Sequence, residues 1–159
     1  METTYILNIG SNLGNRRLNL SRAVAAIGHC FAPVEISHVV ESEPSGFDST
    51  NAFLNIGVIF SSELPPQEVL EKLQEIEKAI SPAPHRDEAG NYIDRIIDID
   101  IIAAGETVMN TETLTLPHPR LAERRFVLEP LLELAPGWHH PVTGLSPIEM
   151  LRLLAEKEQ

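Results

Sequence analysis

Residues 95–103 read Arg95-Ile96-Ile97-Asp98-Ile99-Asp100-Ile101-Ile102-Ala103. A stretch so rich in β-branched residues predicts a strand. Positions i and i+2 of a strand share a face about 6.6 Å apart, so Asp98 and Asp100 converge on one side. With an effective dielectric near 20 and a gap of about 6 Å, the two carboxylates repel by roughly 3 kcal/mol. A hard divalent cation is the natural compensation, because magnesium takes carboxylate and phosphate oxygens. The plainer alternative leaves one aspartate in solvent and pairs the other with an arginine. Arg95 precedes the pair, and His118, Arg120, Arg124 and Arg125 follow around Pro117-His118-Pro119. Fixed cations beside metal-binding carboxylates suit a phosphate ligand.

Upstream, residues 4–10 read as a strand ending in the turn formers Gly10-Ser11-Asn12, and residues 16–27 as a helix that Gly28 stops. Strict alternation over residues 34–41 predicts a half-buried strand, followed by an irregular loop over 42–51. A strand over 53–61 and a helix over 65–80 come next, then a long aperiodic loop over 81–94. Downstream, Ala104-Gly105 turns into a short strand at 107–109, and residues 113–116 are extended. Residues 121–134 read as a helix broken at Pro130. Ser146-Pro147-Ile148-Glu149 matches a capping box that opens a closing helix through residue 154. Strand pairs lie between helices, which predicts an α+β fold with a mainly antiparallel sheet flanked by helices.

A chain of 159 residues suits one domain spanning 1–159. Its 43% hydrophobic and 22% charged content excludes a disordered or fibrous chain. The lone Cys30 forms no intrachain disulfide and has no ligand cluster around it, so a reducing, cytoplasmic setting without structural zinc is expected. Twelve basic against twenty-three acidic residues give a net charge of −11, which argues against broad nucleic-acid binding. No apolar run is long enough to cross a bilayer.

Two further pairs stand out. Gln74 and Glu77 lie about one helical turn apart, although surface residues often do. Phe53 and Asn55 share a strand face, where a ring beside an amide suits a flat heterocycle, although Phe53 taken alone reads more readily as a core residue than as a binding wall.

In order along the chain, Gly10-Ser11-Asn12-Leu13-Gly14, Phe53-Leu54-Asn55, Arg95-x-x-Asp98-x-Asp100, Pro117-His118-Pro119 and Arg124-Arg125-Phe126 resemble the 6-hydroxymethyl-7,8-dihydropterin pyrophosphokinases of folate biosynthesis. The resemblance implies a ferredoxin-like α+β fold and transfer of pyrophosphate from ATP to the pterin hydroxymethyl group, releasing AMP, with two magnesium ions. It further implies that Asp98 and Asp100 hold the metal and that Arg95 and Arg124 join them in catalysis. Gln74, Glu77, Arg95, Ile101, Thr115, His118 and Arg124 would face ATP. Phe53 and Phe126 would sandwich the pterin, with Asn55 reading the ring and Ser42, Glu43, Ser45 and Gly46 reading its other edge. The expected partners are these small molecules, with neither nucleic acid nor membrane, and the expected state is a monomer.

The chain departs from the family pattern between the second helix and the Arg95 strand. An arginine-rich loop and a Trp-Gly-Pro-like approach are replaced by Ser81-Pro82-Ala83-Pro84 and Tyr92-Ile93-Asp94, leaving His85 and Arg86 as the available basic groups. Thr113 stands where the family tends to place another arginine. Missing cations slow phosphoryl transfer by orders of magnitude. Two alternatives therefore stay open, a weakly active or non-catalytic pterin or nucleotide binder, and a magnesium-dependent phosphotransferase with another acceptor.

Overall fold

The computed structural model describes residues 1–43, 51–81, 88–89 and 94–158. Its elements follow the order β1 (Thr3–Ser11), α1 (Arg16–Phe31), β2 (Glu35–Ile36), β3 (Val40–Ser42), β4 (Phe53–Ser62), α2 (Pro66–Ile80) and β5 (Asp98–Ala104). Then come β6 (Met109–Asn110), β7 (Thr115–Leu116), a 3₁₀ turn at Leu121–Glu123, α3 (Arg125–Leu134) and α4 (Pro147–Lys157). The main sheet runs β2-β4-β1-β5, with β3 also paired to β4, and every pairing is antiparallel. Taking β2 and β3 as one interrupted strand, this is the βαββαβ order of a ferredoxin-like fold, as expected from the sequence.

Alternation sorts the side chains onto two layers. Tyr5, Leu7 and Ile9 of β1, Leu54 to Phe60 at every second position of β4, and Ile99 and Ile101 of β5 pack against Leu20, Ala23 and Ile27 of α1 and Val69 and Leu73 of α2. The opposite layer joins Ile6, Ile102 and Ala103 to Val127, Leu128 and Leu131 of α3 and Met150 and Leu151 of α4. A bulge makes this possible. Ile6 opposes Ala103 while Leu7 opposes Ile101, leaving Ile102 as the extra residue. Two successive residues of β5 therefore join the α3 layer, and Ala104 returns to the α1 layer.

Several sequence expectations need correction, among them the short strand expected at 107–109, which lies at Met109–Asn110, and the strand expected from Arg95, which starts at Asp98. Helix α1 passes through Gly28, because one more turn buries Phe31 in a stack on Phe60 with centroids 4.4 Å apart; Pro33 then holds Ala32 in an extended conformation and ends the helix. The strand expected over 34–41 splits into β2 and β3. Ser37 keeps a backbone N–H bond to the Gly57 carbonyl, but its Oγ rather than its carbonyl accepts the Gly57 N–H, and the His38 N–H is drawn to Glu133 on α3, so the regular ladder stops after Ile36, with Ile36 and Val39 facing solvent. Pro130 does not break the last long segment, which is interrupted at Arg124 instead.

Helix α3 tolerates Pro130 for a specific reason. A proline cannot donate to the carbonyl four residues back, here that of Phe126. The Asn8 Nδ2 group, rising from β1, donates to that carbonyl at 3.1 Å. Pro130 can then lie flat on the sheet at Gly57, where an added Cβ would meet the Pro130 Cβ at 2.7 Å. The closing helix begins as its sequence specifies, with Ser146 Oγ accepting the Glu149 N–H and the Glu149 carboxylate accepting the Ser146 N–H.

Asn8→Ala strands the Phe126 carbonyl beneath α3. It is expected to lower unfolding stability by about 1–3 kcal/mol in urea titration, the cost of an unsatisfied buried polar group. An unchanged midpoint would show that the carbonyl finds another donor.

Candidate active site

The face of the sheet beneath the start of α3 carries two rows of residues. Gly10 pairs with Asn55 on one side and Asp98 on the other, and Asn8 pairs with Gly57 and Asp100. Phe53 lies one step further along the same face of β4. Over this floor stand Arg124 and Phe126 from the start of α3, and the cleft so formed is lined by Asn8, Gly10, Ser42, Glu43, Phe53, Asn55, Arg95, Asp98, Asp100, Arg124 and Phe126. It is a small cleft, partly open to solvent.

Gly10 keeps the floor low. A Cβ there would sit 3.1 Å from Asn55 Oδ1 and 3.2 Å from Phe53 Cδ1, so both side chains lean over a position with no side chain. Asn55 gives its Nδ2 hydrogens to the Val40 carbonyl at 3.1 Å and Ser42 Oγ at 2.8 Å. Its Oδ1 is thereby turned toward the cleft as an acceptor. Each aromatic wall has an arginine above it. The guanidinium carbon of Arg95 lies 6.0 Å from the Phe53 ring centre, and that of Arg124 lies 5.6 Å from Phe126.

Asp98 and Asp100 share this cleft, and Asp98 also meets Arg95 at 2.8 Å. Asp98 thus pairs with an arginine, as the plainer reading expects, yet neither aspartate is left in solvent and the two share one face of the sheet. Burial raises the Asp100 pKa, and the neighbouring Asp98 charge raises it further, while Arg124 opposes the shift. Glu77 on α2 reaches β5 and accepts the Ile99 N–H at 2.7 Å. Burial pushes its pKa up to about 7 against that hydrogen bond, with Asp98 adding to the rise. The charged forms of Asp100 and Glu77 are thus disfavoured, and the paired carboxylates of Asp98 and Asp100 are the donor type that fits a hard divalent cation. Among the described residues no three His, Cys, Asp or Glu side chains form a ready metal cage. Asp98 and Asp100 are the residues that could hold such a cation.

His118 stands beside the cleft rather than on its wall. Its backbone N–H bonds the Ile102 carbonyl, and its Nδ1 accepts the Arg120 N–H at 3.1 Å, so the neutral ring carries its proton on Nε2. Burial, helped by the Arg124 charge, lowers its pKa to about 4.

Other expected site residues fall elsewhere. The Ile101 side chain is buried in the α1 layer, on the sheet face opposite Asp98 and Asp100. Thr115 Oγ1 donates to Asn110, Gln74 is exposed on α2, and Arg125 pairs with Glu158, which caps the C-terminus of α4. Thr113 bonds Gln67 at the start of α2. Ser45, Gly46, His85 and Arg86 lie outside the described residues. Asn8 and Gly10 line the cleft without having been singled out for it. Their signal was available, since they occupy alternate positions of an apolar strand, the same period that marks Asp98 and Asp100.

A model of the 7,8-dihydro-6-hydroxymethylpterin-pyrophosphokinase (HPPK) family matches residues 6–136. The chain belongs to the HPPK family. It is 37% identical over 142 residues to the 2-amino-4-hydroxy-6-hydroxymethyldihydropteridine pyrophosphokinase of Aquifex aeolicus, covering 89% of this chain and 86% of that protein. The enzyme of the same name from Porphyromonas gingivalis is 40% identical over 141 residues, covering 85% of this chain and 92% of its own. The chain also matches the folic acid synthesis protein fol1 of Pneumocystis carinii at 38% identity, over 91% of this chain but only 19% of that longer protein. An HPPK-DHPS crystallised with substrates shares the fold, with a TM-score of 0.75 at 13% identity over 99% of this chain and 44% of that one. Among the described residues, no helix of this HPPK family member is long and apolar enough to cross a membrane.

The His118 ring should titrate near pH 4, which can be followed by nitrogen chemical shifts, with Nε2 protonated above that pH. Unfolded histidine takes its proton near pH 6.5, so stability linked to His118 is complete above 6.5 and falls as pH drops toward 4. A midpoint near 6.5 in the folded protein would contradict this burial.

Proposed function

We propose that the chain transfers pyrophosphate from ATP to the hydroxymethyl group of 6-hydroxymethyl-7,8-dihydropterin, releasing AMP, with magnesium and in the cytoplasm. The observation that carries the reading is the single cleft in which two aromatic walls and the Asn55 acceptor adjoin two carboxylates and two arginines. The exposed thiol of Cys30 is in keeping with a reducing compartment.

The flat pterin fits between Phe53 and Phe126, where stacking on both faces replaces water. Asn55 Oδ1 accepts a ring N–H, because both its amide hydrogens are already committed to β3. Ser42 and Glu43 border the same end. Arg95 and Arg124 meet the triphosphate as fixed cations, and the neutral His118 Nε2–H adds a donor that brings no charge. In this arrangement the hydroxymethyl oxygen attacks the β-phosphorus, its bond to the α,β-bridging oxygen breaks, AMP departs with that oxygen, and the hydroxyl proton passes to solvent. When bound at Asp98 and Asp100, two magnesium ions would neutralise the triphosphate and lower the hydroxyl pKa. The arginines stabilise charge on the bridging oxygen as it develops, so rate comes mainly from positioning and electrostatics.

Incubation with ATP, magnesium and the pterin should yield AMP and pterin pyrophosphate, and no AMP when the pterin is omitted. ADP or a nucleotidylated product would assign a different transfer, and saturable binding without turnover would make the chain a binding module.

Asp98→Asn should reduce turnover by about a hundredfold or more while pterin affinity, read by fluorescence titration, stays near that of the parent. Equal loss of both, or of neither, would remove Asp98 from the phosphate end of the reaction.

A further inference from the structure

The strand expected from Arg95 begins only at Asp98, because Arg95 is held by something other than the sheet ladder. Asn12, buried to 2% exposure at the end of β1, donates its backbone N–H to the Arg95 carbonyl at 3.1 Å and accepts the Arg95 N–H on its Oδ1 at 2.7 Å. The orientation of the Asn12 amide decides whether that second bond exists. A flipped amide would present hydrogens to the Arg95 N–H.

Asp94 sets the orientation. One carboxylate oxygen accepts from Asn12 Nδ2 at 2.8 Å, and the other accepts from Asn51 Nδ2 at 2.7 Å. The same Asn12 Nδ2 reaches the Asn51 carbonyl at 3.2 Å. A carboxylate accepts only, so it compels Asn12 to point its nitrogen toward Asp94 and its oxygen toward Arg95. Bonds to a charged acceptor are about twice as strong as neutral ones, which makes Asp94 the dominant partner in this clasp. The clasp also ties down Asn51, two residues before Phe53, so the two ends of one aromatic and arginine pair are anchored to a common point.

We propose that Asp94 is a positioning residue for Arg95, acting through the Asn12 amide and steadied by Asn51. Resting on the reaction proposed above, this assigns a purpose to the last residue of Tyr92-Ile93-Asp94, the segment that stands where the family has its Trp-Gly-Pro-like approach. Asp94 itself does not line the cleft, and it acts by fixing the backbone from which the Arg95 guanidinium reaches Asp98 and the face of Phe53. The clasp compensates locally for a chain poor in arginines between residues 81 and 94, since a cation held in place loses less freedom when it meets a phosphate.

The test is a double-mutant cycle of Asp94→Ala with Arg95→Ala, with kcat, the KM for ATP and melting temperature measured for each variant. Asp94→Ala alone should lower kcat by about tenfold, with melting little changed. In the Arg95→Ala background the same substitution should have less than about a twofold effect, because the group it positions is gone. Asp94→Asn, which keeps one acceptor oxygen, should fall between parent and Asp94→Ala. An equal loss in both backgrounds, or no loss in either, overturns the proposal. Amide hydrogen exchange at Arg95 reads the clasp without turnover, and Asp94→Ala should accelerate it by about tenfold or more while global protection is kept. Unchanged exchange at that amide overturns the proposal even if activity falls. If the parent forms no AMP, the proposed reaction fails, while the exchange result still decides whether Asp94 fixes Arg95.

Discussion

Strand β1 hydrogen-bonds to β4 on one edge and β5 on the other, and the register of those two ladders places every residue of the cleft floor. Gly10 aligns Asn55 with Asp98, and Asn8 aligns Gly57 with Asp100. A one-residue slip in either ladder would turn a full set of side chains to the opposite face. In the β5 ladder the carboxylates would then enter the α1 layer, and Ile99 and Ile101 would turn toward the cleft and α3. Burial of Ile9, Ile56, Ile99 and Ile101 on the reverse face opposes that slip, so the apolar core and the polar cleft are specified by the same constraint.

The bulge at Ile102 and the proline in α3 extend this constraint to the second layer. Because Ile102 and Ala103 both turn toward α3, that helix gains an apolar seat on β5. Because Gly57 has no side chain, Pro130 can approach β4, and the missing helical hydrogen bond is supplied by Asn8. The residues that bring α3 down onto the sheet also set where Arg124 and Phe126 stand. Fold and cleft cannot be separated here, since Asn8 belongs to both.

The charge pattern follows the same economy. Three acids and two arginines lie close together at one edge of the sheet, with His118 held neutral nearby. Within the described residues no preformed cage of three metal-ligating side chains exists.

Most of the elements were legible because local periodicity governs them. The strands at 4–10 and 53–61, the α2 helix, and the capping box at Ser146 each depend on neighbours in sequence. The shared face of Asp98 and Asp100, and of Phe53 and Asn55, follows from the same period of two. What sequence could not reach depended on partners far along the chain. Phe31 extends α1 past Gly28 because Phe60 awaits it, Glu133 pulls His38 from its strand, and Asn8 lets α3 run through Pro130. Ile101 lies in a run where every side chain is a candidate, and only its pairing with Leu7 assigns it to the core. Periodicity is a property of one segment and can be read from it, whereas a hydrogen bond from Asn8 to Phe126 spans 118 residues and exists only once both layers have packed.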